Sequence, residues 1–310
     1  MMPADFVKFQ VLHYNPDLLI KNPLLDFEGK HSVSTGEIYN DKGCEATYNF
    51  MKFKIQRNNY ITVSGSLHKY WNANNGITAP LYQLKKLEDK GFNGNTFGIL
   101  QLYEVLDDFK NSFEIDMEHT TMLQYEHGLN LQIKHSPTKI LRNLFLHHGK
   151  QPNGRHNGYY KEFEHYKCSL KVYDKGKQYL MDDNVLRIEN HYKGSTILKT
   201  KGLFSLHDLT NTNVLKAFND DLISNWSRVL IYDYTMNKKA LTIKEQNQVL
   251  SFSNPNYWCN MSPTNRTRSK KKFKQLTQNH SQNIQDDINQ QMKIQSALLT
   301  QPCELIYTHF

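Results

Sequence analysis

Several short segments of this chain alternate apolar and polar residues, and this alternation restricts the fold more than any other feature of the sequence. It is clearest in residues 119–133 (HTTMLQYEHGLNLQI), in residues 166–176 (YKCSLKVYDKG) and in the run NVLRIEN from Asn184. Successive side chains of a strand point to opposite faces of a sheet, so each segment predicts a strand with one apolar and one polar face. Before residue 65, FVKFQVL, ATYNFMKFKIQ and NYITVSGS predict three more strands.

Other segments carry apolar residues at intervals of three and four, which is the spacing of an amphipathic helix. This spacing predicts helices over 81–90 and 97–109, over TKILRNLFLHH (138–148) and again from Ser205 onward. Helices that alternate with a majority of short strands predict an α+β fold, with a central, largely antiparallel sheet flanked by helices.

The composition changes after Trp258. Residues 262–274, SPTNRTRSKKKFK, are basic with almost no apolar side chains, and residues 275–297 are rich in Gln and Asn. Such a composition is typical of a solvated segment. We therefore predict a domain of residues 1–260 and a polar, basic C-terminal tail of residues 261–310 that is partly helical or disordered.

The chain is basic, with a formal net charge of +8, a pI near 9.0 and 18 tyrosines. A basic surface that is rich in aromatic rings suits a polyanion, and nucleic acid is the first candidate. No segment approaches the roughly 18 apolar residues of a membrane span, and no secretory signal is evident, so we expect a cytoplasmic protein with no membrane partner. The four cysteines form no CxxC pair, which argues against a disulfide framework or a thiolate zinc site.

The polar faces of the three later strands carry the candidate chemistry. The alternation places these residues on those faces: Glu126, Lys171, Tyr173, Lys175, Arg187 and Glu189. If the three strands are neighbours in one sheet, all six side chains converge on one surface. This surface is the predicted site.

Such a surface holds the groups that a tyrosine-dependent DNA strand transferase needs. A phenol with a pKa near 10 is a poor nucleophile at neutral pH, so it needs a neighbouring cation and a polarised phosphate. Lys175 is the predicted cation beside Tyr173, while Glu126 and Glu189 are the predicted ligands of Mg²⁺ or Mn²⁺. Attack by Tyr173 on a DNA phosphate would leave a phosphotyrosine, which allows the strand to be rejoined without ATP.

The same spacing also fits simpler interpretations. Tyr173 can be a half-exposed aromatic residue between solvated lysines, and Glu126 and Glu189 can belong to ordinary surface ion pairs. Spacing alone leaves both interpretations open.

The order of the motifs resembles that of the rolling-circle replication initiators of filamentous phages, the gene II protein family, and more loosely that of plasmid initiators with a Tyr-x-Lys strand. The similar segments are YITVSGSLHKYWNANNG, TMLQYEHGLN, SLKVYDKGKQ and VLRIENHYKGSTILKTKGLFSLHDL, within roughly residues 60–235. The resemblance implies that Tyr173 is the nucleophile and that Glu126 and Glu189 are the acids of their motifs.

The resemblance also implies an activity and partners. The expected enzyme is a metal-dependent endonuclease and strand transferase that nicks and rejoins one strand at an origin, to initiate rolling-circle replication of a plasmid or phage. Its partners would be origin DNA, single-stranded or supercoiled, and host helicase and polymerase. A mobilisation relaxase uses the same chemistry and stays open. The residues predicted to contact DNA are Lys69, Lys171, Arg187, Lys193, Arg266, Arg268, Lys270, Lys271 and Lys272.

Two elements of the family pattern are absent from the sequence. Residues 72–76 contain no histidine where the family turn has a Gly-His-Asn-like element, and His68 precedes Lys69 instead. The His-hydrophobe-His triplet, a metal motif of many tyrosine nucleases, does not occur in the chain. These departures keep two other functions open, a non-catalytic DNA-binding regulator of replication and a basic structural protein without a DNA role.

Overall fold

The chain has an α+β fold, as the sequence predicts, built around one large antiparallel sheet. The structure is a computed structural model that describes residues 4–29, 43–56, 58, 60–82, 89–181 and 183–299. Within these residues, ten strands form the large sheet in the order β2-β3-β4-β5-β1-β6-β11-β10-β9-β8, and two others, β12 and β7, form a separate pair.

The strands are β1 (Ala4–Val11), β2 (Glu28–Gly29), β3 (Cys44–Tyr48), β4 (Met51–Ile55), β5 (Ile61–Ser66), β6 (Thr120–Gln132), β7 (Leu144–His147), β8 (Asn153–Arg155), β9 (Tyr160–Glu164), β10 (Cys168–Asp174), β11 (Val185–Lys193) and β12 (Val229–Ile231). The helices are α1 (Pro16–Ile20), α2 (Leu67–Asn74), α3 (Ile99–Phe113), α4 (Pro137–Arg142), α5 (Lys175–Gln178), α6 (Ser195–Lys199), α7 (Thr212–Ser227), α8 (Ile243–Phe252), α9 (Pro255–Cys259), α10 (Pro263–His280) and α11 (Ile284–Leu299).

Strand β1 joins the two halves of the large sheet, because it pairs with β5 on one side and with β6 on the other. Val7, for example, lies opposite both Gly65 and Tyr125. Both pairings are antiparallel, and the second places the N-terminal residues beside a strand that comes more than a hundred residues later. The first strand therefore contributes side chains to the middle of the sheet.

The second half of the large sheet consists of β6, β11, β10, β9 and β8. One of its faces is apolar and is covered by helices α7 and α11. Val172 of β10 and Ile188 of β11 are fully buried there, against Trp226 of α7 and Met292 of α11. A helix on this face hides the apolar side chains that the period-two alternation predicts. The opposite face is polar, and it holds the candidate site.

The first half of the sheet packs against α2 and α3. Helix α3 runs from Ile99 to Phe113 where the spacing predicts 97–109, and its apolar residues at intervals of three and four are buried. Phe109 and Phe113 contact Phe53 of β4, with ring centroids 6.3 and 4.7 Å away. Glu114, the residue after the helix, caps its C-terminus in a left-handed conformation with φ of 54°. The predicted helix over 81–90 lies mostly outside the described residues.

The predicted helix over 138–148 is wrong in its second half. Helix α4 ends at Arg142, and Leu144–His147 form β7, which pairs with β12. All four residues of β7 are buried, so both faces of the strand are covered and no alternation is left in its sequence. A short, continuous apolar run of this kind is compatible with either a strand or a buried helix.

The predicted tail is helical through residue 299. Phe273 of α10 is buried against Trp258 and Phe252, and Ile288 and Met292 of α11 join the cluster under the large sheet. The apolar residues of these helices are few, but they recur on one side, so the helices cover the core while their other sides stay polar. No helix among the described residues is long and apolar enough to cross a membrane.

Candidate functional site

The structure places the three predicted strands side by side, in the order β6-β11-β10. Lys171 lies opposite Glu189, and Tyr173 lies opposite Arg187, in the pairing of β10 with β11. In the pairing of β11 with β6, Glu126 lies opposite His191. We call this surface the polar face; its charged and tyrosine side chains are Glu126, Lys171, Tyr173, Arg187, Glu189 and His191.

Arg187 is the buried centre of the polar face. Its Nε donates to Glu189 Oε2 at 2.8 Å, its Nη2 to Asp5 Oδ2 at 3.2 Å and its Nη1 to Asn130 Oδ1 at 3.1 Å. Burial raises the pKa of Asp5, but Arg187 and Lys175 lower it, and the net direction is well below the usual value. A guanidinium with buried carboxylates on two sides forms a rigid, fully paired group, whose disruption is costly.

Lys171 lies between the two carboxylates that the sequence predicts as metal ligands. Its Nζ forms a short hydrogen bond with Glu126 and lies 3.8 Å from Glu189 Oε1. Burial and the neighbouring Glu189 carboxylate raise the pKa of Glu126 to about 7, despite Lys171. Burial also acts on Glu189, but Arg187 and Lys171 bring its pKa below the usual value. Glu126 therefore holds a proton more readily than Glu189 does.

Tyr173 donates its hydroxyl hydrogen to Glu189 Oε2, at 3.2 Å. Burial, followed by the charge of Glu189, raises the pKa of Tyr173 well above its ordinary value, and Arg187 is the neighbour that opposes this shift most. The Tyr173 ring lies 5.7 Å from the ring of Tyr160 on β9. The phenol is thus held in its neutral form by its surroundings.

Lys175 is not on the strand, which corrects the prediction that it shares the face of Tyr173 by alternation. Strand β10 ends at Asp174, whose carboxylate caps α5 by accepting from the Lys177 backbone N–H at 2.9 Å, and Lys175 is the first helical residue. Its Nζ lies 5.4 Å from the centre of the Tyr173 ring and donates to Asn93 Oδ1 at 2.5 Å. Burial, then Arg187, lowers the pKa of Lys175 to about 7. Lys175 therefore contacts the ring of Tyr173, whereas Arg187 is the cation whose charge acts on the pKa of the Tyr173 hydroxyl.

A cleft of about 440 Å³ adjoins Tyr173. The residues that line it are His156, Tyr159, Tyr160, Tyr173, Asp174, Lys177, Gln178 and Glu189. The hairpin of β8 and β9 supplies the first three of them, and β8 and the turn that follows it lie in residues 149–158 (GKQPNGRHNG), which are rich in Gly and Asn. The nucleophile predicted from the sequence and its carboxylate partner thus both reach an open space of ligand size.

The polar face as it stands does not fit a bound divalent ion. Glu126, Glu189 and His191 bring two carboxylates and an imidazole together, with His191 Nδ1 3.5 Å from Glu126 Oε1 and His191 Nε2 buried without a hydrogen-bond partner. The donor types suit Mn²⁺ or Mg²⁺, but the ammonium of Lys171 occupies the position between the carboxylates. Among the described residues, no group of three or more His, Cys, Asp or Glu side chains is arranged to hold an ion.

Four of the cations predicted to contact DNA from the body of the protein have partners in the protein. Lys171 and Arg187 belong to the polar face, Lys69 Nζ donates to the Lys90 carbonyl at 2.7 Å, and Lys193 Nζ pairs with a Glu164 carboxylate oxygen at 2.9 Å. Lys171, Arg187 and Lys193 are ion-paired, so a phosphate would compete with a carboxylate for each of them, whereas the charge of Lys69 is not paired with an acid among the described residues.

The basic run of helix α10 divides into residues that face the protein and residues that face solvent. Arg266 donates to the backbone carbonyls of Trp258 at 2.8 Å and Met261 at 2.9 Å, so it closes the end of α9. Lys270 is half-buried, whereas the remaining predicted contacts are exposed: Arg268, Lys271 and Lys272. Helical periodicity separates residues that the sequence shows as one charge run.

Comparison with protein-family models and with curated proteins gives no match. Among solved structures, the chain is similar to the rolling circle replication initiator protein from Geobacillus stearothermophilus. The identity is 9%, the alignment covers 81% of this chain and 95% of that chain, and the TM-score is 0.39. A likeness of this strength does not by itself establish a common fold, and it does not point to the gene II protein family in particular.

Sequence reasoning missed His191 of the polar face and Asp5, which contacts Arg187 of that face. The alternation of β11 extends from Arg187 through Glu189 to His191, so counting two residues further along the strand would have found the histidine. Asp5 lies 182 positions before Arg187 in the sequence, and only the pairing of β1 with β6 brings them together. No local pattern contains that information.

Proposed function

We propose that this protein nicks and rejoins one strand of DNA through Tyr173, and that it does so at an origin to initiate rolling-circle replication of a plasmid or phage. The observation that carries the proposal is the placement of the Tyr173 hydroxyl, which is hydrogen-bonded to Glu189 in the wall of the 440 Å³ cleft. The basic charge of the chain and the order of its motifs support the same function.

In the proposed reaction, the Tyr173 oxygen attacks the phosphorus of a DNA phosphodiester bound in the cleft. A phosphotyrosine bond forms as the bond from phosphorus to the 3′ oxygen breaks, and the free 3′ hydroxyl can then prime synthesis. The phenolic proton passes to Glu189, and the departing oxygen takes a proton from Lys177 or from solvent. One phosphodiester replaces another, so the reverse reaction rejoins the strand without ATP.

The other residues of the site have positioning roles in this proposal. Arg187 holds Glu189 at 2.8 Å and keeps its carboxylate directed toward the phenol. Lys175 lies against the Tyr173 ring and fixes its orientation. The exposed cations Arg268, Lys271 and Lys272 would contact the DNA backbone without reading sequence, in a salt-sensitive manner. Host helicase and polymerase would act on the nicked product.

Dependence on Mg²⁺ or Mn²⁺ is a separate part of the proposal. An ion held by Glu126 and Glu189 would supply Lewis-acid polarisation of the phosphate. Since Lys171 lies between these carboxylates in the structure, the proposed proton transfers involve only protein residues and solvent.

The test is the formation of a covalent protein–DNA adduct. The protein is incubated with a supercoiled plasmid that bears its origin, with Mn²⁺ or with a chelator, and the products are separated under denaturing conditions. Wild type should give nicked DNA and an adduct, whereas Tyr173→Phe should give neither, because the attacking oxygen is missing. Tyr160→Phe removes the hydroxyl of the adjacent ring and is the matched control, which should retain the adduct. Equal nicking by wild type and Tyr173→Phe would contradict the proposal.

A second function, a DNA-binding regulator without catalysis, is favoured by the resting state of Tyr173. Its raised pKa and the lowered pKa of Glu189 both oppose transfer of the phenolic proton. If the protein is a regulator, wild type and Tyr173→Phe should bind origin DNA with the same affinity. Neither should form a covalent protein–DNA adduct, with Mn²⁺ or with a chelator. The denaturing gel therefore distinguishes the two functions directly.

A further inference from the structure

A second cavity, of about 460 Å³, lies where the C-terminal end of α7 and strand β12 meet α10 and the first turn of α11, and it shares no lining residue with the cleft beside Tyr173. We call it the basic pocket. The basic residues that line it are His148, Arg228, Lys270 and Lys274. None of them belongs to the polar face, and the proposed strand transfer does not use the pocket.

The four basic residues of the pocket come from three separate parts of the chain. His148 follows strand β7, Arg228 directly precedes β12, and Lys270 and Lys274 are four residues apart on α10. The pairing of Val229 with His147 fixes the first two elements relative to each other. Residues four apart lie on the same side of a helix, so both lysines of α10 face the pocket.

The arginine and the two lysines of the basic pocket outnumber its two carboxylates and are not paired with them. Arg228, Lys270 and Lys274 form no ion pair with any residue that the structure describes. Two carboxylates also line the cavity, but Asp233 is occupied by the Ser281 hydroxyl and the Ile284 backbone N–H, at 3.0 and 2.9 Å, and Asp286 lies in the first turn of α11.

Arg228 and Lys270 both lie close enough to His148 for their charges to act on it. Burial, then Arg228 and Lys270, lowers the pKa of His148, and burial with His148, His165, Arg228 and Lys270 lowers the pKa of His147 to about 3. Mutual repulsion among cations is relieved when an anion binds between them. In addition, the hydroxyl of Thr277, which also lines the cavity, is buried and has no hydrogen-bond partner.

The neighbouring histidines do not indicate a metal site. The rings of His147, His148 and His165 are within 5.7 Å of one another, and His147 Nδ1 lies 2.9 Å from His165 Nε2. Arg228 and Lys270 make the local potential positive, which repels a cation and attracts an anion. No group of this kind within the described ranges is arranged to hold an ion.

We propose that the basic pocket binds a phosphate group, supplied by the backbone of the DNA on which the protein acts. Arg228 and Lys270 would hold the phosphate oxygens, and the Thr277 hydroxyl would donate to one of them. The identification of the phosphate as DNA rests on the proposed function, whereas the phosphate site itself does not. It would anchor the DNA away from Tyr173.

Single-stranded oligonucleotide binding, measured by fluorescence anisotropy at several salt concentrations, tests the anchor. The double variant Arg228→Gln/Lys270→Gln should bind at least about tenfold more weakly than wild type. Its plot of log K against log salt should be shallower by about 0.7, since the loss of one phosphate contact on a single strand removes about that much of the slope.

The matched control is Lys238→Gln/Lys239→Gln, which removes the same charge from exposed residues that are not among the predicted DNA contacts. Lys270→Arg, which keeps the charge, should bind as wild type does, and circular dichroism confirms that each variant is folded. If the control weakens binding as much as the pocket variant, the effect is one of net charge and the anchor is excluded.

A second arm separates the phosphate site from the proposed function. Inorganic phosphate and a deoxynucleoside monophosphate are added to wild type and to the pocket variant, and thermal unfolding is followed. Stabilisation of wild type alone by both ligands supports a phosphate site, even if no DNA adduct forms. If both ligands stabilise only wild type but wild type and the pocket variant bind the oligonucleotide equally well, the phosphate in the pocket comes from a free nucleotide, and the DNA anchor is overturned. Equal responses of both proteins would overturn the site.

Discussion

The polar face and the basic pocket use positive charge in opposite ways. On the polar face, Arg187 is buried, Lys171 is partly buried, and each contacts two carboxylates. In the pocket, Arg228 and Lys270 have no acidic partner among the residues that the structure describes, and they line an open cavity. Charge that is already paired contributes to a fixed geometry, whereas unpaired charge is available to a ligand. A basic net charge therefore does not show which cations meet DNA.

Replacement of one arginine in each region gives the largest expected contrast. Arg187→Ala leaves Asp5 and Glu189 buried without their cation and should lower the free energy of unfolding by about 3–5 kcal/mol. Arg228→Ala removes no ion pair and should change it by less than about 0.5 kcal/mol. Urea unfolding of both variants measures the two values. Similar losses would show that the two arginines are not in different environments.

Much of this contrast follows from sequence, but not all of it. Alternation correctly places Tyr173, Arg187 and Glu189 on one face, because the period of a strand is fixed by its geometry. It fails at Lys175, where Asp174 caps a helix and ends the strand. The charge run of α10 looks uniform in sequence, and only packing of Phe273 decides which lysines turn toward the protein. Pairing partners from distant segments, such as Asp5, depend on sheet order.

Removal of Lys171 should convert the paired polar face into a cation site. In Lys171→Ala, the carboxylates of Glu126 and Glu189 lose the ammonium between them and lie beside His191. Mn²⁺ at ten times its dissociation constant should then stabilise the variant by about 1.4 kcal/mol, and wild type by less. Thermal unfolding with and without Mn²⁺ measures this, with Lys52→Ala as a control on the surface pair with Glu45. An equal response of wild type would mean that the ion enters without displacing Lys171.

The pH dependence of stability should reveal the buried lysine of the site. The folded pKa of Lys175 is lowered to about 7, so between pH 7 and its ordinary value of 10.5 the unfolded chain binds the extra proton. The free energy of unfolding should therefore rise as the pH increases from 7 to 10.5, and this stability is lost as the pH falls back toward 7. Lys175→Met should flatten this part of the curve, while Lys270→Met, in the basic pocket, should change it less. A wild-type free energy of unfolding that decreases as the pH rises from 7 to 10.5 would contradict the prediction.

The smallest expected effect concerns the residue that ends strand β10. Asp174 Oδ1 accepts from the Lys177 N–H at 2.9 Å, and its Oδ2 accepts from the Thr138 hydroxyl at 3.1 Å. Asp174→Ala removes the cap of α5 and should lower the free energy of unfolding by about 1 kcal/mol. Thr138→Val removes only the second bond and is the matched control. Because the cap places Lys175 against the Tyr173 ring, Asp174→Ala should also reduce adduct formation, whereas Thr138→Val should not. A loss of stability with an unchanged yield of adduct would show that the cap supports the fold but does not position the tyrosine.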